Sequence, residues 1–137
     1  MDATLIAEKL ESLRRCIARI EQKCPPTVEQ LSGDPDVQDI VALNLQRAVQ
    51  ICVDVAAHVI SESGAPAPLT MGEAFEILAG MAAIPPELAL RLRKAVGFRN
   101  IAVHSYSAID WTIVHAVCRH GLTDFRNFAS AIAGRLS

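Results

Sequence analysis

The chain has 137 residues, of which 51% are hydrophobic, 20% charged and only 4% aromatic, and its formal net charge is −2. This composition excludes a disordered chain, and the length is that of one domain with a single core. A core rich in Ala, Leu, Ile and Val favours packed helices over a β-sheet. We therefore predict a single all-α domain that spans residues 1–137.

The cysteines and the apolar runs exclude two further classes of protein. None of the cysteines forms a CxxC pair, so neither a disulfide scaffold nor a zinc site is expected, and the thiols should be reduced and mostly buried. No signal-peptide pattern is visible at the amino terminus. The most apolar run, residues 51–60, is interrupted by Asp54 and His58 and is too short to cross a bilayer. A cytoplasmic protein without membrane contact is predicted. The four cysteines are Cys16, Cys24, Cys52 and Cys118.

Charge is distributed unevenly along the chain. Residues 1–86 contain 6 Lys/Arg and 12 Asp/Glu, whereas residues 87–137 contain 7 and 3. No acidic residue lies between Glu87 and Asp110. This asymmetry permits an anionic ligand near the second half of the chain, although a solvated basic helix face would have the same composition.

The first two predicted helices form the start of a bundle. Apolar residues from Ile6 to Cys24 recur at alternating spacings of four and three, and a proline pair at 25–26 ends this helix. After a loop around residues 33–35, the second helix is predicted from about Asp36 to Ile60. Because the second helix carries two apolar stripes, it needs two partners, which could be the rest of the bundle and a second copy of the chain.

Three further helical segments are predicted. Thr70 and Glu73 form a capping box for a short third helix, and Pro85-Pro86 opens a fourth that runs into the segment around Arg99. A last helical stretch, capped by Ser107 or Asp110, should bend near Gly121. The predicted fold is an antiparallel bundle of four main helices plus a short one.

Polar residues cluster where the fourth helix should end. Asn100 and His104 are four residues apart and share a helix face, whereas Arg99 and His104 lie about 140° apart around a continuous helix. Arg99 and His104 could meet on one ligand only if the helix ends near residue 103 or a second copy joins the site. Together with Tyr106, the cluster could bind a phosphate through arginine and move a proton through histidine. Gly97 costs the helix about 1 kcal/mol relative to alanine, which suggests close approach of another backbone or a ligand.

The spacing alone leaves a structural alternative open. Arg99 could pair with a carboxylate, Asn100 could cap a helix, and His104 could be a hydrogen-bonded core histidine.

The run Phe98-Arg99-Asn100-Ile101-Ala102-Val103-His104-Ser105-Tyr106 closely resembles the signature of HepT-type HEPN toxins, which is Arg, four residues, His, one residue and Tyr. The resemblance covers nearly the whole chain. The segment 44–60 is similar to that family's second helix, and residues 108–110 with the helical tail are similar to its carboxy-terminal part.

The resemblance implies a HEPN-type bundle and a homodimer in which two such motifs line a cleft at the interface. It also implies an endoribonuclease that needs no metal and no cofactor. On the matching positions, His104 would handle protons around the RNA 2′-hydroxyl and the leaving oxygen, and Arg99 would hold the scissile phosphate. Asn100 would orient the phosphate or His104.

The resemblance also implies a partner and a control point. In HepT-type systems a nucleotidyltransferase antitoxin, MntA, can transfer AMP to the motif tyrosine, which is Tyr106 here. A bulky anionic adduct would occupy the cleft and repel the RNA backbone. The alternative is a catalytically weak substrate or adaptor subunit of that transferase.

Other candidates have weaker signals. Asp54 and His58 could form a hydrogen-bonded pair that fixes helix register, or could flank the cleft together with Gly97. His115 and His120 are five residues apart and diverge on a helix, so no metal site is expected. Trp111 is interpreted as a packing residue.

Overall fold

In the computed structural model, which describes residues 2–136, every helix and turn belongs to one all-α bundle and no strand occurs in that range. The first and last residues of the predicted domain lie outside this range. The helices are α1 (Ala3–Lys23), α2 (Val28–Ser32), α3 (Pro35–Glu62), α4 (Met71–Gly80), α5 (Pro86–His104), α6 (Trp111–Ala116) and α7 (Leu122–Leu136), with a 3-10 turn (Tyr106–Ala108) and a π-turn (Val117–Gly121).

Helix α1 forms for the local reasons that its sequence predicts. The Asp2 carboxylate caps its first turn by accepting a hydrogen bond from the Leu5 amide at 3.0 Å. Its alternating apolar positions are buried, and the helix ends just before the predicted proline pair. Lys9, near the start of α1, lies 3.7 Å from Asp54 in the second half of α3, so the two helices run antiparallel.

Helix α3 is the central helix of the bundle. Asp34 caps it and Pro35 occupies its first turn. Most residues of both apolar stripes are buried within this one chain, because α1, α4 and α5 all pack against it. Val37, Ile51 and His58 of the first stripe are half-buried. The chain itself therefore supplies partners for both stripes. The buried stripe residues are Val41, Asn44, Ala48 and Val55 on one side, and Leu45, Val49, Cys52, Ala56 and Val59 on the other.

By length and composition, α3 could also cross a membrane, but 56% of its apolar window is buried inside the bundle. This is the pattern of a core helix and does not point to a membrane.

One local feature was not predicted, and another was predicted only as a bend. Helix α2 is only five residues long, and it is started by a capping box in which the Thr27 hydroxyl and the Gln30 side chain each accept from the other residue's backbone amide. The bend expected near Gly121 is a π-turn that joins α6 to α7. A Cβ at Gly121 would lie 3.3 Å from Cγ1 of Val117, so glycine suits this tight position.

One continuous core joins the long helices α1, α3, α5 and α7 with the shorter α4. Its centre contains Phe75 of α4 and Phe128 of α7, whose rings meet edge to face with centroids 6.0 Å apart. All four cysteines are free thiols, and burial raises the pKa of Cys52 and Cys118, which keeps these thiols protonated. Cys16, Cys52 and Cys118 are buried and Cys24 is half-buried, which confirms that the thiols lie mostly in the interior.

Candidate active site at the end of the fifth helix

The motif segment lies where α5 stops. Ser105 leaves the helical region (φ −148°, ψ 56°), and its amide makes the last bond of the helix, to the Ile101 carbonyl at 2.8 Å. The 3-10 turn follows at once, and the Asp110 carboxylate then caps α6 by accepting from the Thr112 and Ile113 amides. Asp110, and not Ser107, is the cap. His104 is therefore the last helical residue and Tyr106 the first residue of the turn.

Arg99 and Asn100 are in direct contact. The Arg99 Nη1 donates a hydrogen bond to the Asn100 Oδ1 at 3.2 Å. On a continuous helix Asn100 lies about 100° from Arg99 and only about 40° from His104. The contact therefore turns the guanidinium towards the face that Asn100 shares with His104. This partner one residue along the helix was not predicted.

The structural alternative is wrong for all three residues. Within residues 2–136 Arg99 lies within ion-pair distance of no carboxylate, and Asn100 lies inside the helix without capping it. His104 is exposed, and within the same range its ring makes no hydrogen bond. A histidine free of structural contacts is available for proton transfer.

Two of the arginines on α5 are already paired with carboxylates of other helices. Arg91 binds Asp124 at 2.9 Å, and Arg93 binds Glu76. These two cations serve as links between helices, since Asp124 belongs to α7 and Glu76 to α4. Arg99 pairs with no carboxylate of residues 2–136, so its positive charge is available to an anionic ligand at the end of α5.

Helix α5 is continuous through both Arg99 and His104, so the end of the helix does not bring the two residues together. Only the side chain of Arg99 bends towards the His104 face. At this end of α5, one chain thus presents the exposed imidazole of His104 on the face towards which the Arg99 guanidinium is turned.

Tyr106 is held by contacts from two other elements. Its hydroxyl donates a hydrogen bond to the Asp39 Oδ1 at 2.5 Å, and its ring meets the edge of Trp111 with centroids 5.9 Å apart. Burial, followed by the hydrogen bond to Asp39 and the charge of that carboxylate, raises the pKa of Tyr106 well above its usual value. The side chain is nevertheless 39% exposed. Trp111 packs against the core, which confirms its predicted packing role.

Comparison with known proteins identifies the family. The sequence profile of the "Ribonuclease HepT-like" family matches residues 13–132. The chain belongs to the HepT-like ribonuclease family. It is 38% identical over 128 residues to the "mRNA nuclease HepT" of Shewanella oneidensis, an alignment that covers 93% of this chain and 96% of the relative.

Solved structures agree with this assignment. The tri-AMPylated HEPN toxin of Shewanella oneidensis, in complex with an MNT antitoxin, superposes with a TM-score of 0.90 at 36% identity and covers 98% of this chain and 99% of that one. YutE, a cytosolic protein of unknown function from Bacillus subtilis, shares the fold with a TM-score of 0.85 at 14% identity, covering 99% of this chain and 91% of its own. The HEPN-type all-α fold is therefore confirmed.

Asp54 and His58, which could flank the cleft according to the sequence, lie far from the motif within one chain. Asp54 accepts a hydrogen bond from Gln50 at 2.9 Å and pairs with Lys9, whereas the buried Nε2 of His58 has no partner among the described residues. The predicted hydrogen bond between Asp54 and His58 is therefore wrong. Along α3, Asp54 is about 22 Å from Asp39, which Tyr106 contacts, at 1.5 Å per residue. A role beside the cleft could come only from another protomer.

Gly97 does not serve a close approach within this chain. It is exposed, and a Cβ added to it would have no atom outside its own helix within 4 Å. Gly97 instead lies on one face of α5 with Leu90, Lys94, Ile101 and His104. Successive members of this stripe are four, three, four and three positions apart, so they share one face of the helix. Leu90 and Ile101 on this stripe are 55% and 44% exposed. We call this surface the α5 stripe; it comprises Leu90, Lys94, Gly97, Ile101 and His104.

The histidines of the last helical stretch have structural surroundings. His115 is buried, and its Nε2 lies 2.9 Å from the Pro25 carbonyl, which ties α6 to the end of α1. His120 is exposed on the π-turn. Across residues 2–136 no three His, Cys, Asp or Glu side chains come close enough to hold a metal ion.

Proposed function

We propose that this chain is a cytoplasmic HEPN endoribonuclease toxin that cleaves RNA without a metal ion. The observation that carries the proposal is the arrangement of Arg99, Asn100 and His104 at the free end of α5. There an exposed imidazole lies on the face towards which the guanidinium is turned. The 38% identity to an mRNA nuclease over nearly the whole chain supports RNA as the substrate.

The chemistry assigns a role to each of the three residues. The RNA 2′-oxygen attacks the adjacent phosphorus, the bond to the 5′-oxygen breaks, and a 2′,3′-cyclic phosphate and a 5′-hydroxyl result. His104 takes the 2′-hydroxyl proton or donates a proton to the leaving oxygen. Arg99 stabilises the charge that develops on the phosphate, and Asn100 holds the guanidinium in place.

This chemistry favours two copies of the chain. Proton removal at the 2′-oxygen and proton donation at the 5′-oxygen take place on opposite sides of the phosphorus, yet each chain presents one exposed motif imidazole. We propose that the α5 stripe forms the interface of a homodimer, which brings two His104 side chains to one cleft. Exposed Leu90 and Ile101 supply apolar surface, and Gly97 leaves room for the facing backbone.

Neutralisation is proposed to occur at Tyr106. An MntA-type nucleotidyltransferase would transfer AMP to its hydroxyl, which lies two residues beyond His104 and is partly exposed. A solved relative carries AMP groups in complex with such an antitoxin, which supports the partner and the modification. The adduct adds negative charge beside Arg99 and His104 and therefore opposes binding of the RNA backbone.

Expression of the chain with and without its transferase tests this proposal. The chain alone is expected to arrest growth and to degrade cellular RNA, and co-expression of an MntA-type transferase should restore growth. Intact-mass measurement should then show added AMP on the wild-type chain and none on Tyr106→Phe.

Two outcomes would contradict parts of the proposal. Absence of growth arrest and of RNA cleavage, with AMP still added, would replace the nuclease with the adaptor alternative. AMP addition that persists in Tyr106→Phe would show that the modification occurs at another residue.

A further inference from the structure

The contact between Tyr106 and Asp39 is not part of the motif. The two residues are 67 positions apart, and their contact joins the turn after α5 to the first part of α3. At 2.5 Å between Oη and Oδ1, the hydrogen bond has the length of a charge-assisted O–H···O⁻ bond. The edge of Trp111 meets the ring from another element, so the direction of the hydroxyl is determined by two neighbours.

We propose that Asp39 is the general base for modification of Tyr106: it orients the phenolic oxygen and takes its proton as AMP is transferred. This inference rests on the proposed function, because it concerns the step by which the toxin is neutralised. It places one of the catalytic groups of that step on the toxin chain itself.

The Tyr106 Oη attacks the α-phosphorus of ATP, and the bond from that phosphorus to the oxygen bridging the β-phosphorus breaks. Pyrophosphate leaves with the bonding electron pair. The phenolic proton passes along the existing hydrogen bond to the Asp39 carboxylate and from there to solvent. The products are the tyrosyl-AMP ester, pyrophosphate and one proton.

A base is needed at this position because the phenol is protonated at neutral pH. Burial and the neighbouring carboxylate raise the pKa of Tyr106, so phenolate is scarce before the reaction begins. A neutral phenol is a weak nucleophile, and its proton must leave as the new bond forms. Within residues 2–136 Asp39 is the carboxylate hydrogen-bonded to this hydroxyl, and its geometry requires no rearrangement.

Modification also breaks the contact that promotes it. The ester oxygen has no proton to donate, and the AMP phosphate is an anion next to the Asp39 carboxylate. The turn after α5 therefore loses its hydrogen bond to α3 once AMP is added. Amide hydrogen exchange of residues 105–109 is expected to become faster in the modified chain than in the unmodified one.

The decisive experiment compares rates of AMP addition for wild type, Asp39→Asn, Asp39→Ala and the control Asp36→Asn. The probe is ATP with the MNT antitoxin of Shewanella oneidensis, followed by intact mass. Asp36 is exposed on the same helix, one turn away. Asparagine at position 39 keeps an oxygen that can accept from Tyr106 but does not take a proton at neutral pH. Asp39→Asn is expected to slow AMP addition about 10²-fold at pH 7, and Asp36→Asn should match wild type.

The pH profile separates a base from a structural contact. Without a base, AMP addition depends on the fraction of Tyr106 that is phenolate. The rate of AMP addition to Asp39→Asn should therefore rise about tenfold per pH unit as long as the pH is below the pKa of the phenol. Equal rates and profiles for Asp39→Asn and wild type would overturn the proposal. So would loss of rate in Asp39→Ala alone, because that result would assign Asp39 only a positioning role. If wild type itself gains no AMP, the proposed modification of Tyr106 fails, and this inference fails with it.

Discussion

Replacing His104 with alanine is expected to lower RNA cleavage by the purified chain about 10²- to 10⁴-fold, the usual contribution of a general acid or base. Because the imidazole is exposed and makes no hydrogen bond to another described residue, its removal should change the free energy of unfolding by no more than about 0.5 kcal/mol. The measurement pairs an RNA cleavage rate with thermal unfolding of the same preparation.

The chain offers a matched control for this variant. His120 is also exposed, but it lies on the π-turn outside the motif, so His120→Ala should cleave RNA at the wild-type rate. Equal activity in His104→Ala and wild type would remove the motif from the reaction. Loss of activity together with a large loss of stability would mean that His104 has a structural role instead.

Placing a charge on the α5 stripe is expected to separate the two protomers. Ile101→Glu should leave the isolated chain folded, because the side chain is 44% exposed and glutamate is a good helix former. Across a two-fold interface the substitution would bury two like charges without partners, which costs several kcal/mol. Sedimentation should show a monomer, and RNA cleavage should fall by at least about 10²-fold, because proton donor and acceptor no longer face the same phosphate.

Leu69 provides the control for the added charge. It is 88% exposed and lies outside α5, between α3 and α4, so Leu69→Glu should remain dimeric and active. A dimer that survives Ile101→Glu would place the interface on another surface.

The sequence was sufficient to predict the helices that form for local reasons. Apolar spacing, prolines and caps such as Thr70 predicted the main helices, and the Arg-to-Tyr spacing indicated the HEPN motif. Helix α2 was missed because its five residues show no periodicity, and only its capping box indicates a helix start.

The remaining errors concern the partners of individual side chains. Asp54 and His58 have suitable spacing for a hydrogen bond, but Gln50 and Lys9 take the carboxylate instead. Asp39 resembles an ordinary acidic residue in the first part of a helix, where negative charge is favourable. Its contact with Tyr106 arises only when α5 ends beside the start of α3, and no pattern within either segment encodes that.

Packing also decided which helices cover the two apolar stripes of α3. Periodicity showed that the helix needs two partners, but it could not show that α1, α4 and α5 of the same chain supply them. The surface that we propose for a second copy is the α5 stripe, which is interrupted by Lys94 and Gly97 and so has weak periodicity.

The central claim is that the segment at the end of α5 cleaves RNA only when two chains combine. The most direct test measures the cleavage rate per chain against chain concentration, with the dimer fraction determined by sedimentation on the same samples. Gly97→Ala is expected to weaken the proposed dimer enough for its dissociation to be measured. In one chain the added Cβ has open space and should stabilise the helix by about 0.5–1 kcal/mol, whereas in the proposed dimer it would meet the facing copy. Gly134→Ala, with equally open space in α7, is the control. We predict that the rate per chain follows the dimer fraction; a monomer that cleaves RNA at the full rate would contradict the claim.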